Sequence, residues 1–543
     1  MDNLRIILFV ALALVGVQIY TAWQEDHKPE EQSVISHNVD VPTAPIAADV
    51  PEANQQIEGS NDLPETTSAP TISTATVRVV TDVLDIIIDT KGGNIVQTNL
   101  LDYPQEIGSE NTIRLQNSSN SGFYTVQSGL LAKAGAPNHY AQFNAQQSEY
   151  ILADGQDVLT VPLSWNENGI KVTKLYTFKR SDYLINETFK VTNNTQQEWA
   201  GNQYRQIQRS EVDDSQPFLY TYTGGVYYNE EDKYEKVEYD DMEDENLNKS
   251  FDNGWAAMIQ HYFMTALIPT ANETNKYYSK VVDNEYGKRY VMGLTSTKKK
   301  VAPAETIEFK TGIYIGPKIL DRLDEIAPGL GLAVDFGILT IISKPMYIAL
   351  NWINTIVGNW GWAIVILTIG LKILFFPLAN ASYKSMAKMK KVMPEVQKLK
   401  EKYGDDRQRI AKEQMALFQK HKVNPAAGCF PMLIQMPVFM GLYWALLESV
   451  QLRQAPFILW INDLSIADPY FILPVIMGAS MFIQQKLNPP PADPMQAKMM
   501  QMMPIMFSVF FFFLPVGLVL YSVTNNTLSI IQQYVITKRI ENE

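Results

Sequence analysis

The chain has 543 residues, 19% of them charged, a formal net charge of −13 and one cysteine, Cys429. That length exceeds what one average core organises, and a lone cysteine excludes an intramolecular disulfide or a thiolate metal cluster. The charge is also divided unevenly, with +8 on residues 344–543 and −21 on residues 1–343, so the two parts are built for different surroundings, a basic surface suiting anionic lipid heads or RNA.

Residues 1–23, "MDNLRIILFVALALVGVQIYTAW", are apolar from 6 to 20 apart from Gln18 and one glycine, behind a short head containing Arg5. No small-x-small site precedes Trp23, as a cleaved signal peptide would require, so an uncleaved transmembrane anchor is expected. Residues 24–75 are rich in Glu, Pro, Ala, Ser, Thr and Asn; that composition buries too little to offset chain entropy and reads as a disordered tether. From 76 to 317 the texture is short β-branched and aromatic runs separated by turns. Gly92-Gly93 and Asn168-Gly169 sit between such runs, where two-residue hairpins need positive φ. The pattern predicts a large antiparallel β-sandwich outside the cytoplasm.

Residues 318–359 begin with a short helix and a breaker, "KILDRLDEIAPGLGL". Met346, Ala349, Leu350, Ile353, Ile356 and Val357 then fall on one helical face. An amphipathic helix lying on a membrane surface is expected, with packing on the sandwich as the alternative. Apolar segments follow at about 360–378, 425–449, 470–485, 499–514 and 517–537, against a requirement of about 20 residues per spanning helix. Between the first two, residues 379–424 carry 12 Lys+Arg against five acids, and the positive-inside rule makes this loop cytoplasmic. Working outward from it gives six spans, both termini inside and the acidic β domain outside. The loop itself predicts two helices joined by "YGDD", with Gly404 ending one and Asp405 or Asp406 capping the next. Its Lys384, Lys388, Lys390, Lys391, Arg407 and Arg409 form a candidate docking surface for partners, a solvated or lipid-facing hairpin being the alternative.

Lys372 lies in "TIGLKILFFP", inside the second expected span. A lysine at a helix centre costs about 2.5–3.5 kcal/mol on insertion scales, and each large apolar neighbour returns only about 0.3–0.6. Snorkelling to the inner headgroups is one account. The other is a hydrated cavity, because Thr368 shares the lysine's face, Gln435 lies mid-span, and the last span reads "YSVTNNTLSIIQQ" with Tyr521, Ser522, Thr524, Asn525, Asn526 and Thr527. The inner halves of the spans contain no Asp or Glu, so the charge would attract an anionic ligand from outside the protein. Sixteen of the 21 methionines follow residue 344, which suits a surface accepting varied apolar partners.

The segments "VGNWGWAIVILT", "SYKSMAKMKKVMPEVQKLKEKYGDD", "VNPAAGCFPMLIQMPVF", "LRQAPFILWINDLS" and "DPMQAKMMQMMPIMFSVFFFFLPVGLVLY" resemble, in order and spacing, the YidC family of bacterial membrane protein insertases. The resemblance covers about residues 330–540, and the β domain and first anchor resemble the periplasmic insert of Gram-negative members. It implies a five-span core over 360–540 around a hydrophilic groove in the bacterial inner membrane, acting alone or with the Sec translocon. The implied partners are nascent membrane proteins, membrane lipids, and a ribosome or targeting factors at the hairpin. By the same resemblance the groove arginine falls on Lys372, the groove glutamine on Gln435, a substrate-contacting threonine on Thr368, and an aromatic pair on Tyr521 and Ser522, with Asn525 beside them. Lysine keeps the charge but lacks arginine's planar fork, and Ser522 removes one aromatic contact.

An enzyme would need a constellation, and the five histidines are scattered over tether, β domain and hairpin. No nucleophile elbow, metal-ligand motif or phosphate loop is found, and no cofactor or metal is expected. The rival function is a secondary transporter, a class marked by inverted repeats and membrane carboxylates, of which the sequence shows neither. A saccharide-binding role for the β domain would rest on fold analogy alone.

Overall fold

The structure, a computed structural model, describes residues 76–542 apart from 121, 134, 212–220, 405, 422, 424–429 and 489–493, with backbone only at 407, 430–433, 494–497 and 541. The expected anchor at 1–23, the tether at 24–75 and Cys429 lie outside the described residues.

Residues 76–317 fold into two sheets, one of eleven strands and one of nine. Alternation along the strands creates the faces between them. In Ile170–Lys179 the residues Ile170, Val172, Tyr176 and Phe178 are buried, as expected where one side of a pleat meets a core. Asn168 and Gly169, at φ 50° and 78°, close the predicted two-residue hairpin before this strand. Gly92 and Gly93 also take positive φ, but there the connection is longer, and a Cβ on Gly92 would fall 2.0 Å from the His139 carbonyl. One pairing departs from the antiparallel expectation: Arg78–Val80 runs parallel to Glu149–Ile151, which the long intervening chain permits.

The sandwich interior also holds charge. Lys174 and Glu187 are fully buried, 3.4 Å apart, and Lys174 Nζ donates to the Gly92 carbonyl at 3.0 Å. Ser128, Tyr176 and Gln203 hydrogen-bond the same carboxylate, so the pair is satisfied, as buried charges must be. Burial pulls the Lys174 pKa down, opposed by Glu187.

Ten α-helices lie among the described residues. Tyr239–Asp244 (α1) belongs to the β part, and Leu320–Ile326 (α2) is the predicted short helix before Pro328-Gly329. The rest are Thr340–Val357 (α3), Trp360–Leu374 (α4), Phe376–Tyr403 (α5), Arg407–Lys420 (α6), Phe430–Leu447 (α7), Ile472–Leu487 (α8), Pro494–Phe511 (α9) and Val516–Asn542 (α10). The expected span at 360–378 stops at Leu374, because Pro377 has no N–H to offer the Ile373 carbonyl, and α5 leaves at a 67° bend. Among the described residues no single helix is long and apolar enough to cross a membrane; α4 and α5 pass that test only together.

The expected apolar face of α3 divides along its length. Met346 and Leu350 are buried, with Ala349 and Ile353 partly so, in a cluster shared with α4 and α7. Ile356 and Val357 of the same face are exposed, as are Ile341, Ile348 and Trp352.

The β part and the bundle meet at one joint. Lys318, just past the last strand, donates to Glu448 at 2.7 Å, with side chains 2% and 4% exposed. His261 Nε2 lies 2.9 Å from the Leu447 carbonyl, and Arg453 and Gln454 donate to the carbonyls of Gln105 and Pro104. Tyr347, Ala445 and Val450 belong to the same buried cluster as the sandwich core. Burial, with Lys318 nearby, lowers the His261 pKa from 6.5 to about 4. A depressed folded pKa means the unfolded chain binds the proton first. Thermal stability of the full-length protein is therefore expected to hold above about pH 6.5 and to fall toward pH 4, and His261→Gln should flatten that part of the profile.

Candidate functional site

The bundle divides along its length. At one end Ala363 and Ile364 of α4, Leu442 and Leu446 of α7, and Val516, Leu518 and Val519 of α10 form a closed apolar core. At the other end the same helices part around a cavity of about 600 Å³. Sequence explains the switch, since α10 changes there from "VGLVL" to "YSVTNNTLS".

All six residues expected in a groove line this cavity: Thr368, Lys372, Gln435, Tyr521, Ser522 and Asn525. Lys372 sits in the last turn of α4, where a cation is favoured by the exposed carbonyls. Its Nζ donates to Ser529 Oγ at 2.6 Å, and the Ser529 hydroxyl donates in turn to the Asn525 carbonyl at 2.8 Å. No carboxylate pairs with Lys372 among the described residues. Across the cavity Gln435 Nε2 donates to the Tyr521 hydroxyl, joining α7 to α10. Thr368 and Ser522 are buried and spend their hydroxyls on the Ile364 and Leu518 carbonyls of their own helices. Their contribution to the lining is therefore shape more than open hydrogen-bonding capacity.

Sequence reasoning missed Ser529, Gln533, Ser480 and Asn488. Ser529 continues the Tyr521, Asn525 stripe at four-residue steps, so helical periodicity carries that signal. Asn526 donates to Ser480 at 2.7 Å and Gln533 to Asn488 at 2.8 Å, tying α10 to α8. The lining is two-sided. Polar groups come mainly from α4 and α10, with Gln435 from α7, Gln484 from α8 and Asn488 just past it, whereas Met436, Val438, Phe439 and Met440 of α7 and Met503, Phe507, Phe510 and Phe511 of α9 make much of the facing wall apolar.

The basic hairpin is formed by α5 and α6, which pack through Val392, Val396, Phe418 and Val423. Gly404 ends α5 at φ 54°, and Asp406 caps α6 by accepting from the Arg409 N–H at 3.1 Å. Lys384, Lys388, Lys390, Lys391 and Arg409 are exposed. Lys391 nevertheless donates to the Ile540 carbonyl at 2.6 Å, and Arg409 lies 4.8 Å from the Tyr403 ring. The side chain of Arg407 lies outside the described residues.

Comparison with known proteins bears on what this arrangement serves. Residues 76–349 match the family described as "YidC periplasmic domain" and residues 352–543 that described as "60Kd inner membrane protein". Proteins named "Membrane protein insertase YidC" from Thioalkalivibrio sulfidiphilus, Methylococcus capsulatus and Nitrosococcus oceani are 45%, 46% and 44% identical to the chain. In each case all of this chain is covered, with 99%, 99% and 100% of the relative.

The chain belongs to the YidC family of membrane protein insertases. An insertase moves a polypeptide between phases without making or breaking a covalent bond, so the protein is not an enzyme. Its two matched parts correspond to the family's periplasmic domain and its inner-membrane part, and membrane proteins are its substrates. The two-sheet β part is thus the insertase's periplasmic domain.

Proposed function

We propose that the cavity is the insertase's substrate groove, with Lys372 as its receiving charge. The observation that carries this reading is the convergence of Lys372, Gln435, Tyr521 and Asn525 from three helices on one cavity whose other wall is apolar. An acidic translocated tail is drawn to Lys372, which a serine hydroxyl holds in place without neutralising its charge. The tail's polar groups exchange bonds with the amides and hydroxyls of α10 and α7, which lowers the cost of leaving water. The apolar segment of the same substrate runs along Met436, Met440, Met503 and Phe507, whose flexible or flat side chains accept varied sequences. Because lipid is as apolar as that wall, the segment moves on into the bilayer while the groove releases the tail.

On this reading the helical part spans the inner membrane, with α4 to α5, α7, α8, α9 and α10 forming five crossings and residues 1–23 a sixth. Both termini and the α5–α6 hairpin are cytoplasmic, as the clustered lysines favour. The exposed strip Ile341, Ile348, Trp352 and Ile356 of α3 lies in the outer interface among lipid heads. The hairpin lysines meet a ribosome or targeting factors, and the insertase works alone or beside the Sec translocon.

Photocrosslinking tests the groove directly. A photoreactive residue at 372 or 521 of the full-length protein is expected to capture a stalled nascent membrane protein through its tail, whereas one at exposed Leu459 should not. Equal capture at all three positions would remove the groove reading.

A further inference from the structure

Two destinations are open to the Lys372 ammonium. Its helix, α4, ends two residues later at Leu374, and the chain turns away there by 67°. The side chain is half-buried, and Ile373, Leu374 and Phe376 around it are exposed. A lysine so close to a helix end can lay its stem over such apolar surface and deliver the ammonium to the inner headgroups. Its own helix therefore does not decide whether the charge faces the cavity.

What decides it comes from α10. The hydrogen bond to Ser529 Oγ, 2.6 Å long and closing 157 residues of chain, is the one bond that Lys372 Nζ makes among the described residues. Ser529 is 5% exposed, and its own hydroxyl donates to the Asn525 carbonyl at 2.8 Å, so what it turns toward the lysine is a lone pair. The oxygen is also a fixed point. Three residues before it Asn526 donates to Ser480 of α8 at 2.7 Å, and four residues after it Gln533 donates to Asn488, just past α8, at 2.8 Å. All three of these α10 side chains are buried, and α10 has no interior proline. Thr368, Ser522 and Thr527 likewise donate to the carbonyl four residues back in their own helices, yet among the described residues only Ser529 receives a cation.

We infer that Ser529 is the positioning residue of the groove: it draws the Lys372 ammonium off the route to the headgroups and holds it in the cavity until a substrate carboxylate displaces the serine. This rests on the groove reading. A hydroxyl suits that task because it accepts a bond without cancelling the charge. The ammonium has three N–H groups and Ser529 occupies one, so an incoming carboxylate finds a cation already in place and displaces only a neutral partner. An aspartate at the same point would hold the lysine more firmly and neutralise it, leaving nothing for an acidic tail to meet. Asn526 and Gln533 serve the same end at one remove, by keeping α10 seated on α8 around the serine.

The experiment compares Ser529→Ala, Ser529→Thr and Ser529→Asp in the full-length protein, with two single-span reporters whose translocated tails differ only in Asp versus Asn. Insertion is read per amount of folded insertase, as the ratio of the acidic-tailed to the neutral-tailed reporter. A packing defect slows both reporters and leaves that ratio alone. If the ammonium spends about a fifth of its time in the cavity once the serine is gone, apparent affinity for an acidic tail falls about fivefold. The ratio in Ser529→Ala should fall by at least that factor. Ser529→Thr keeps the hydroxyl and should stay within about twofold of wild type, and Ser529→Asp should lose the preference altogether although the lysine is intact. A wild-type ratio in Ser529→Ala, equal slowing of both reporters, or a preference retained by Ser529→Asp overturns the inference. Lys372→Glu is run alongside: an unchanged ratio there counts against the groove reading itself, whereas a ratio that falls in Lys372→Glu and holds in Ser529→Ala counts against the positioning role alone.

Discussion

Lys372→Glu is expected to depress insertion of substrates with acidic translocated tails by roughly tenfold or more, while Lys372→Arg stays near wild type. At an effective dielectric of about 20, two unit charges about 4 Å apart interact by roughly 4 kcal/mol, so reversing the sign converts an attraction into a repulsion of that order. Part of this is lost to water in the cavity, and about 1.4 kcal/mol is enough for a factor of ten. Substrates with neutral tails should be affected much less, which separates an electrostatic role from a general packing defect.

The arginine variant tests what the lysine's local bond does. Lys372 reaches Ser529 at 2.6 Å with a single ammonium. Arginine is longer and offers five donors in a plane, so it can keep the serine contact and still present a fork to a carboxylate. Depletion of the native protein, complementation with each variant, and protease protection of reporter proteins with acidic and neutral tails provide the measurement. Normal insertion of acidic-tailed reporters by Lys372→Glu would show that the charge serves the fold or the bilayer instead, as snorkelling would have it.

The residues that line the cavity were legible because their signals are local. A charge in an apolar run, a polar stripe in the last helix and a mid-helix glutamine each stand out against a lipid-like background, and helical periodicity puts those of one helix on one face. The β domain was legible for a similar reason, since alternation and the Asn168-Gly169 turn act over a few residues. What stayed hidden depends on distant partners. Lys318 and Glu448 are separated by 130 residues, and no spacing rule connects the end of a strand with the end of a helix. The hydropathy of α3 marks an apolar face, but it does not say that other helices cover Met346 and Leu350 while Ile356 and Val357 stay exposed. Helix ends were shifted where proline intervened, as at Pro377. Ser529 was missed although it completes a four-residue repeat, because serine in an apolar helix carries little weight when read singly.

Deleting most of residues 80–310 is expected to leave insertion largely intact, because every cavity residue lies after 360, and the joint explains where such a deletion must stop. Lys318 follows the last strand, so a deletion ending at 310 keeps it available to Glu448. One extended through 318 would strand a buried carboxylate, a change that typically costs about 3–5 kcal/mol when one partner of a buried pair is lost. The shorter deletion still removes His261, Gln105 and Pro104 from the joint and uncovers Tyr347, Ala445 and Val450. Its melting temperature should therefore drop although insertion continues, whereas the longer deletion should lose both. Pairing the longer deletion with Glu448→Gln removes the stranded charge and should recover part of the loss. If the shorter deletion accumulates stably in the membrane and fails to insert substrates, the periplasmic domain takes part in the reaction itself, and the groove is not sufficient for it.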